Sequence, residues 1–263
     1  MGVAVITGAA SGIGAGLARA AIGRGMSVVL ADRDAASLNA LAADLGPYAL
    51  AITTDVTDEA AVEALAAAAF ERHGQIDLLF NNAGVLSTGL VWEIPTEVWK
   101  RALDVNILGI VNGVRAFVPR MVAAGRPARI INTASVGGFL PSPFMAPYSA
   151  TKFAVVALTE SLAGELAATG SPIAVSLLAP GPVQTAIFRE APPPSAQPFH
   201  AAMTGMLADH GMDADAFAAL VFDAIDRGDY WIIPQPEALD DALANRTAGI
   251  IARQSPQFYS AGE

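Results

Sequence analysis

Apolar residues in this chain gather into two kinds of run that alternate from end to end. Short runs rich in valine, isoleucine and leucine occupy residues 3–7, 27–31, 48–53, 76–80, 129–134, 173–179 and 230–234. Their lengths suit strands, and most lack polar alternation, as expected of strands covered on both faces. Between them lie stretches at 15–24, 35–45, 59–72, 99–121, 149–169 and 213–226, where alanine and leucine recur at helical spacing. Regular strand–helix alternation predicts a parallel seven-stranded sheet with helices on both faces. Residues 186–212 break the rhythm: they contain Pro192, Pro193 and Pro194 and show no clear period. A loop this long inside a compact domain is usually functional, so it is read as a mobile lid over a site. Neither an internal repeat nor a linker divides the 263 residues, which form one domain, 1–263.

In such sheets the ligand lies beyond the carboxyl ends of the strands, so the residues after each run carry the chemistry. The first run ends in Gly8-Ala9-Ala10-Ser11-Gly12-Ile13-Gly14 and leads into a helix. Glycines let the backbone approach a pyrophosphate, and a helix N-terminus offers free N–H groups and a positive dipole end. The second run ends at Asp32, eighteen positions after Gly14, where a carboxylate would accept the adenosine ribose hydroxyls of a dinucleotide. Asp32 would repel the 2′-phosphate of NADP and so favours NAD. The neighbouring Arg33 could pair with that phosphate, which keeps NADP as the less favoured alternative. Asp55 and Val56 follow the third run and could meet an adenine, or simply form a turn. Asn82-Ala83-Gly84, after the fourth run, would let the chain pass close to a cofactor. Asn106 interrupts a strongly apolar helix and needs a hydrogen-bond partner. Ser135 ends the fifth run, on the same rim.

Tyr148 and Lys152 lie four residues apart in a helical stretch, so both side chains project from one face. A cation near a phenol favours the phenolate and lowers its pKa, which is what a general acid/base near neutrality requires.

Charge and composition narrow the partners. A net charge of −10 and the lack of a basic run argue against nucleic acid. There is no cysteine, which excludes disulfides and thiolate chemistry and suits a reducing cytoplasm. His73, His200 and His210 show no ligand-like spacing, so no metal is expected. No run reads as a membrane span and no signal peptide is visible at the N-terminus; a cytoplasmic protein is expected.

Taken together, Thr7-Gly8-x-x-x-Gly12-Ile13-Gly14, Asn81-Asn82-Ala83-Gly84, Asn106, Ser135, Tyr148-x-x-x-Lys152 and Pro180-Gly181-x-Val183-x-Thr185 resemble the short-chain dehydrogenase/reductase family, in its compact single-domain branch. The resemblance runs from Val3 to about Thr185. It implies a Rossmann-type doubly wound α/β fold and an NAD-dependent oxidation of a secondary alcohol, or reduction of its ketone. It implies Tyr148 as proton carrier, Lys152 as its partner and a hold on the nicotinamide ribose, and Ser135 as hydrogen-bond donor to the reacting oxygen. Asn106 would hold a proton-relaying water, and Val183 and Thr185 would fix the carboxamide beside Pro180 and Gly181. A substrate pocket is expected from Leu86, Val136, Phe139, Leu140, Phe144, Met145, Ile187, Phe188, Met203 and Met206, all apolar. The substrate is therefore expected to be a small, uncharged, hydrophobic alcohol or ketone. Members of the family commonly pair through the two long helices, so a homodimer or homotetramer is expected. Two other readings are an NADP-dependent 3-oxoacyl thioester reductase, against which Asp32 and the acidic total speak, and a cofactor-sensing protein without turnover.

Overall fold

The period-2 geometry of strands explains why the short runs are apolar throughout. In a computed structural model describing residues 2–256 and 258, β1 (Val3–Thr7) sends Val3 and Val5 to one face and Ala4 and Ile6 to the other. Both faces are covered. On one side pack α1 (Gly12–Gly23), α2 (Ala35–Leu45) and α8 (Ala214–Arg227), around Leu17, Leu30, Phe80, Phe217 and Phe222. On the other pack α3 (Glu59–His73), α5 (Gly109–Ala124) and α6 (Ala146–Ala168), around Leu65, Leu79, Phe117, Met121 and Leu162.

The remaining strands are β2 (Ser27–Asp32), β3 (Ala49–Thr53), β4 (Leu78–Asn81), β5 (Ala128–Thr133), β6 (Ile173–Leu178) and β7 (Trp231–Ile232). Their spatial order is β3-β2-β1-β4-β5-β6-β7, and every neighbouring pair is parallel. The order reverses between β1 and β4. There the connections leave to opposite sides, opening a crevice at the carboxyl ends of the strands.

Three elements differ from the sequence pattern. The helix expected at 99–121 begins earlier, as α4 (Thr96–Leu103), and passes through a π-helical turn, Asp104–Leu108, before α5. This 29-residue rod is apolar and long enough to cross a bilayer on length and composition alone, contrary to expectation. Its Ile110, Ala116, Phe117 and Met121 are nevertheless buried in the sheet-side cores. The irregular stretch 186–212 contains a helix, α7 (Gln197–His210), entered through proline at its first turn. Finally, β7 spans only two residues; Pro234, without an N–H, cannot extend its ladder. A last helix, α9 (Asp240–Ile251), carries no buried residue.

Candidate active site

The glycine turn is built for an anion. Gly12 has φ +52°, and a Cβ on Gly14 would stand 2.1 Å from the carbonyl oxygen of Gly8, so the turn closes only without side chains. Ser11 makes no side-chain cap on α1, and no acid lies in the first turn. The free N–H groups and dipole end of α1 therefore face the crevice uncompensated, with Ser11, Gly12, Ile13 and Gly14 on its wall.

Asp32 ends β2 with both carboxylate oxygens held, one by the N–H of Ala10 (3.1 Å) and one by that of Asp34 (3.0 Å). Arg33 is exposed on the same rim. Asp55 and Val56 line the crevice, Asp55 accepting from the N–H (2.9 Å) and hydroxyl (2.8 Å) of Thr57. The Asn82-Ala83-Gly84 turn is pinned by Thr7, whose hydroxyl accepts from the N–H of Asn82 (3.0 Å) and of Ala83 (3.1 Å). The Asn82 amide donates back to the Thr7 carbonyl (3.0 Å).

At the other end of the crevice α6 delivers Tyr148 and Lys152. Lys152 is 3% exposed; its Nζ lies 5.7 Å from the centre of the Tyr148 ring and donates to the Thr133 carbonyl at 2.8 Å. It has no carboxylate partner among the described residues, and burial pushes its pKa down to about 8. Tyr148 remains partly open to the crevice. Its pKa is raised by burial, against a hydrogen bond with Ser135 that pulls it down. The expected lowering of the phenol by its lysine is thus reversed in the chain alone: desolvation dominates, and the ammonium lies beside the ring with its bond directed at Thr133. Ser135 is held in turn, accepting from the N–H of Gly137 (3.0 Å) and sitting 3.4 Å from the Pro180 carbonyl.

Asn106 occupies the π turn and is fully buried. Its Oδ1 accepts from the Val85 N–H (2.8 Å), and its Nδ2 donates to the Val85 carbonyl (3.0 Å) and the Thr151 hydroxyl (2.9 Å). Both amide protons are committed, so the carboxamide braces α6 through Thr151. A relay water would need the main-chain carbonyls loosened by the π turn.

Pro180, Gly181, Val183 and Thr185 also line the crevice. The Thr185 methyl stands 2.9 Å from where a Cβ of Gly12 would be, so the glycine turn and this loop touch. Leu86, Val136, Met145, Ile187, Phe188, Met203 and Met206 form the apolar walls, with Leu140, Ser142 and Leu207. Phe139 and Phe144 lie off that wall. Phe139 packs edge-on against Trp231 with centres 5.9 Å apart. Phe144, with a left-handed φ of 62°, stacks on Phe199 of α7 at 5.2 Å.

The rim holds residues that the linear pattern does not reveal. Arg101 of α4 pairs with Glu190 across the mouth of the crevice. Thr7, Thr133 and Thr151 act as hydrogen-bond hubs. Thr7 and Thr151 carry a local signal: Thr7 opens the glycine motif, and Thr151 shares the Tyr148 turn, donating to the Tyr148 carbonyl at 2.8 Å. The crevice encloses about 1160 Å³, more than a single drug-sized ligand needs. Its closed glycine turn, rim carboxylate and buried uncompensated ammonium fit a nicotinamide dinucleotide.

Comparison with known proteins agrees. The family model for short chain dehydrogenases matches residues 2–195. The chain is 38% identical over 240 residues to 1-deoxy-11-beta-hydroxypentalenate dehydrogenase of Streptomyces exfoliatus, covering 89% of this chain and 83% of that protein. It is 32% identical over 274 aligned positions to a CLA biosynthesis dehydrogenase/reductase of Lactiplantibacillus plantarum, covering 98% and 96%. A crystal structure of a short chain dehydrogenase/reductase from Burkholderia phymatum in complex with NAD superimposes with a TM-score of 0.95 at 36% identity, over 99% of this chain and 98% of that one. The chain therefore belongs to the short-chain dehydrogenase/reductase family, an oxidoreductase on a Rossmann-type domain that works with a nicotinamide cofactor.

Proposed function

We propose that this protein is an NAD-dependent oxidoreductase interconverting a hydrophobic secondary alcohol and its ketone, with Tyr148 as general acid/base. The observation that carries the reading is the meeting of Tyr148, Ser135 and Lys152 at the apolar end of a crevice whose other end is a glycine turn and an acid.

The α1 N-terminus with Gly8, Gly12 and Gly14 would hold the pyrophosphate, Asp32 the adenosine ribose, Asp55 and Val56 the adenine. Lys152 would hold the nicotinamide ribose, and Val183 and Thr185 the carboxamide. A bound nicotinamide supplies the hydride acceptor in oxidation and, reduced, the hydride donor in reduction. Ser135 donates a hydrogen bond to the substrate oxygen and steadies charge developing there. Tyr148 gives that oxygen a proton in reduction and takes one from it in oxidation. Because burial keeps the phenol protonated, reduction is served by the resting side chain. Oxidation first requires the phenolate, which the Lys152 ammonium and the positive charge of oxidised nicotinamide favour.

Asp32 supports NAD over NADP, since its carboxylate at the end of β2 would repel a 2′-phosphate; the Burkholderia neighbour was solved with NAD. The wall of Leu86, Met145, Phe188, Met203, Met206 and Leu207 supports an uncharged hydrophobic substrate, and methionines there adapt to irregular shapes. The Streptomyces relative is named for a hydroxylated substrate, in keeping with an alcohol donor. Residues 186–212 act as the lid over this pocket. A cysteine-free chain suits a reducing compartment, and we place the protein in the cytoplasm.

The test follows nicotinamide absorbance over a panel of cyclic and aromatic secondary alcohols and ketones. The wild type turns over members of the panel with NAD(H), and Tyr148→Phe lowers kcat by about 10²- to 10⁴-fold with NADH affinity unchanged. Substantial turnover by Tyr148→Phe removes Tyr148 from the role. Tight NADH binding with no turnover of any compound favours a cofactor sensor.

A further inference from the structure

We infer that Gln235, just beyond β7, is a positioning residue that aims the nicotinamide-binding loop; this rests on the reading that Val183 and Thr185 hold the carboxamide. The loop Pro180–Thr185 is tied down carbonyl by carbonyl. The Pro180 oxygen accepts from the N–H of Val136 (3.0 Å). The Pro182 oxygen accepts from the Met212 N–H (2.9 Å), and Gln184 returns a bond to the Met212 carbonyl (2.9 Å). This places Val183 and Met212 in an isolated parallel bridge. Those three bonds are main chain to main chain. Two side chains distant in sequence add to them: the Ser135 hydroxyl reaches the Pro180 oxygen at 3.4 Å, and Gln235 Nε2 donates to the Pro182 oxygen at 2.7 Å.

Two further observations single Gln235 out. It is only 5% exposed, and its Oε1 is buried with no hydrogen-bond partner among the described residues. A buried amide using only part of its capacity is less favourable than an apolar side chain of similar volume, so packing alone does not account for a glutamine here. What the amide adds is the one bond to Pro182. The contact is also tight. A Cβ on Gly181 would stand 3.0 Å from Gln235 Oε1 and 3.2 Å from its Cβ, so the side chain lies directly against the loop. Gln235 itself does not line the crevice, whereas Gly181, Pro182, Val183 and Thr185 do. It acts through the loop, holding Val183 and Thr185 at one height relative to the glycine turn.

The prediction is selective. Losing the Gln235 bond loosens the nicotinamide end of the crevice and leaves the adenosine end, built on Asp32 and α1, as it was. In Gln235→Leu, NADH binds about 2- to 10-fold more weakly, the range of one hydrogen bond, kcat falls, and ADP-ribose, which has no nicotinamide, binds as in the wild type. Gln235→Met, which retains length and flexibility without a donor, gives the same pattern and serves if the leucine variant does not fold. Equal weakening of NADH and ADP-ribose, or no change in either, overturns the inference. So does failure of both variants to fold, which would assign Gln235 to the fold alone. Thr185→Val separates the layers. If it weakens NADH selectively while the Gln235 variants do not, the carboxamide reading stands and the role of Gln235 falls. If Thr185→Val has no effect, the carboxamide reading itself falls.

Discussion

Among the described residues Lys152 is a buried cation without a counter-ion, and that makes it a stability liability held for function. Its folded pKa of about 8 lies below the ordinary lysine value of 10.5. Between those values the unfolded chain binds more protons, so stability contributed by this group rises with pH from about 8 to 10.5 and is least below 8. The deficit at pH 7 is on the order of 3 kcal/mol, reduced by the bond to the Thr133 carbonyl. Tyr148 is shifted the other way, upward, so it lowers stability only once the pH passes the usual phenol range. Lys152→Met should therefore raise Tm at pH 7 by a few degrees, about 2–6 °C, and abolish turnover. The gain should shrink when unfolding is measured at pH 9.5. A lower Tm at pH 7, or a gain independent of pH, would show that the ammonium is better compensated than its surroundings indicate. This trade of stability for activity is common at catalytic positions. It was half legible in the sequence: the four-residue spacing places both groups on one face, but the balance between charge and desolvation depends on depth of burial, which spacing does not encode.

At the scale of elements, what the sequence disclosed was local. The glycine turn and the Tyr148–Lys152 pair are set by neighbours within a few residues, and Asp32 by its place at the end of β2, where the Ala10 N–H also holds it. Features set across the fold did not disclose themselves. The π turn around Asn106 has the composition of an ordinary helix. Helix α7 fully buries only Leu207; Phe199, Met203 and Met206 share its apolar face, but the prolines before and at its start read as loop. Phe144 and Phe139 are near the catalytic residues in sequence, but backbone direction turns them onto Phe199 and Trp231. Arg101 and Glu190 are 89 residues apart and meet only because α4 and the strap after Thr185 form opposite lips of the crevice. The Asp34 carboxyl is held low chiefly by its hydrogen bonds with Ser37, with a small contribution from the charge of Arg189, next in the strap, which lines the crevice with Asp34. If the strap covers a bound dinucleotide, release requires the strap to lift. Each partner of the Arg101–Glu190 pair is about one-third exposed, 36% and 33%, so the pair is worth about 1 kcal/mol or less. Glu190→Gln should speed NADH release by about 2- to 5-fold, read by stopped-flow fluorescence, with Tm unchanged. Release from the wild type should quicken with added salt, whereas the variant should not respond. Identical release rates would mean the strap does not cover the cofactor.

At the scale of the whole molecule, the sheet explains where the site is, and the rod of α4 and α5 bears on what the chain associates with. One side of that rod is consumed by the core. Leu103, just before the π turn, and Leu108, its last residue, stand 43% and 48% exposed, and Trp92 just before α4 is 76% exposed. Scattered surface leucines are ordinary, but these lie on the element that also carries Asn106 and Arg101. Pairing of two copies along this rod would fix the π turn and the crevice lip together. Such pairing is isologous, so each residue counts twice. Burying a leucine is worth about 1.5–3 kcal/mol, and two copies make about 3–6 kcal/mol. Leu108→Glu should then weaken dimerisation by about 10²- to 10⁴-fold, moving the protein towards monomer in size-exclusion chromatography with light scattering at micromolar concentration. If pairing steadies the π turn, the monomeric variant should also lose NADH affinity, because Asn106 braces Thr151 and through it the Tyr148 turn. A wild type that is monomeric, or a Leu108→Glu variant with unchanged mass, would show that the rod's outer face is solvent and that the site is complete in one chain.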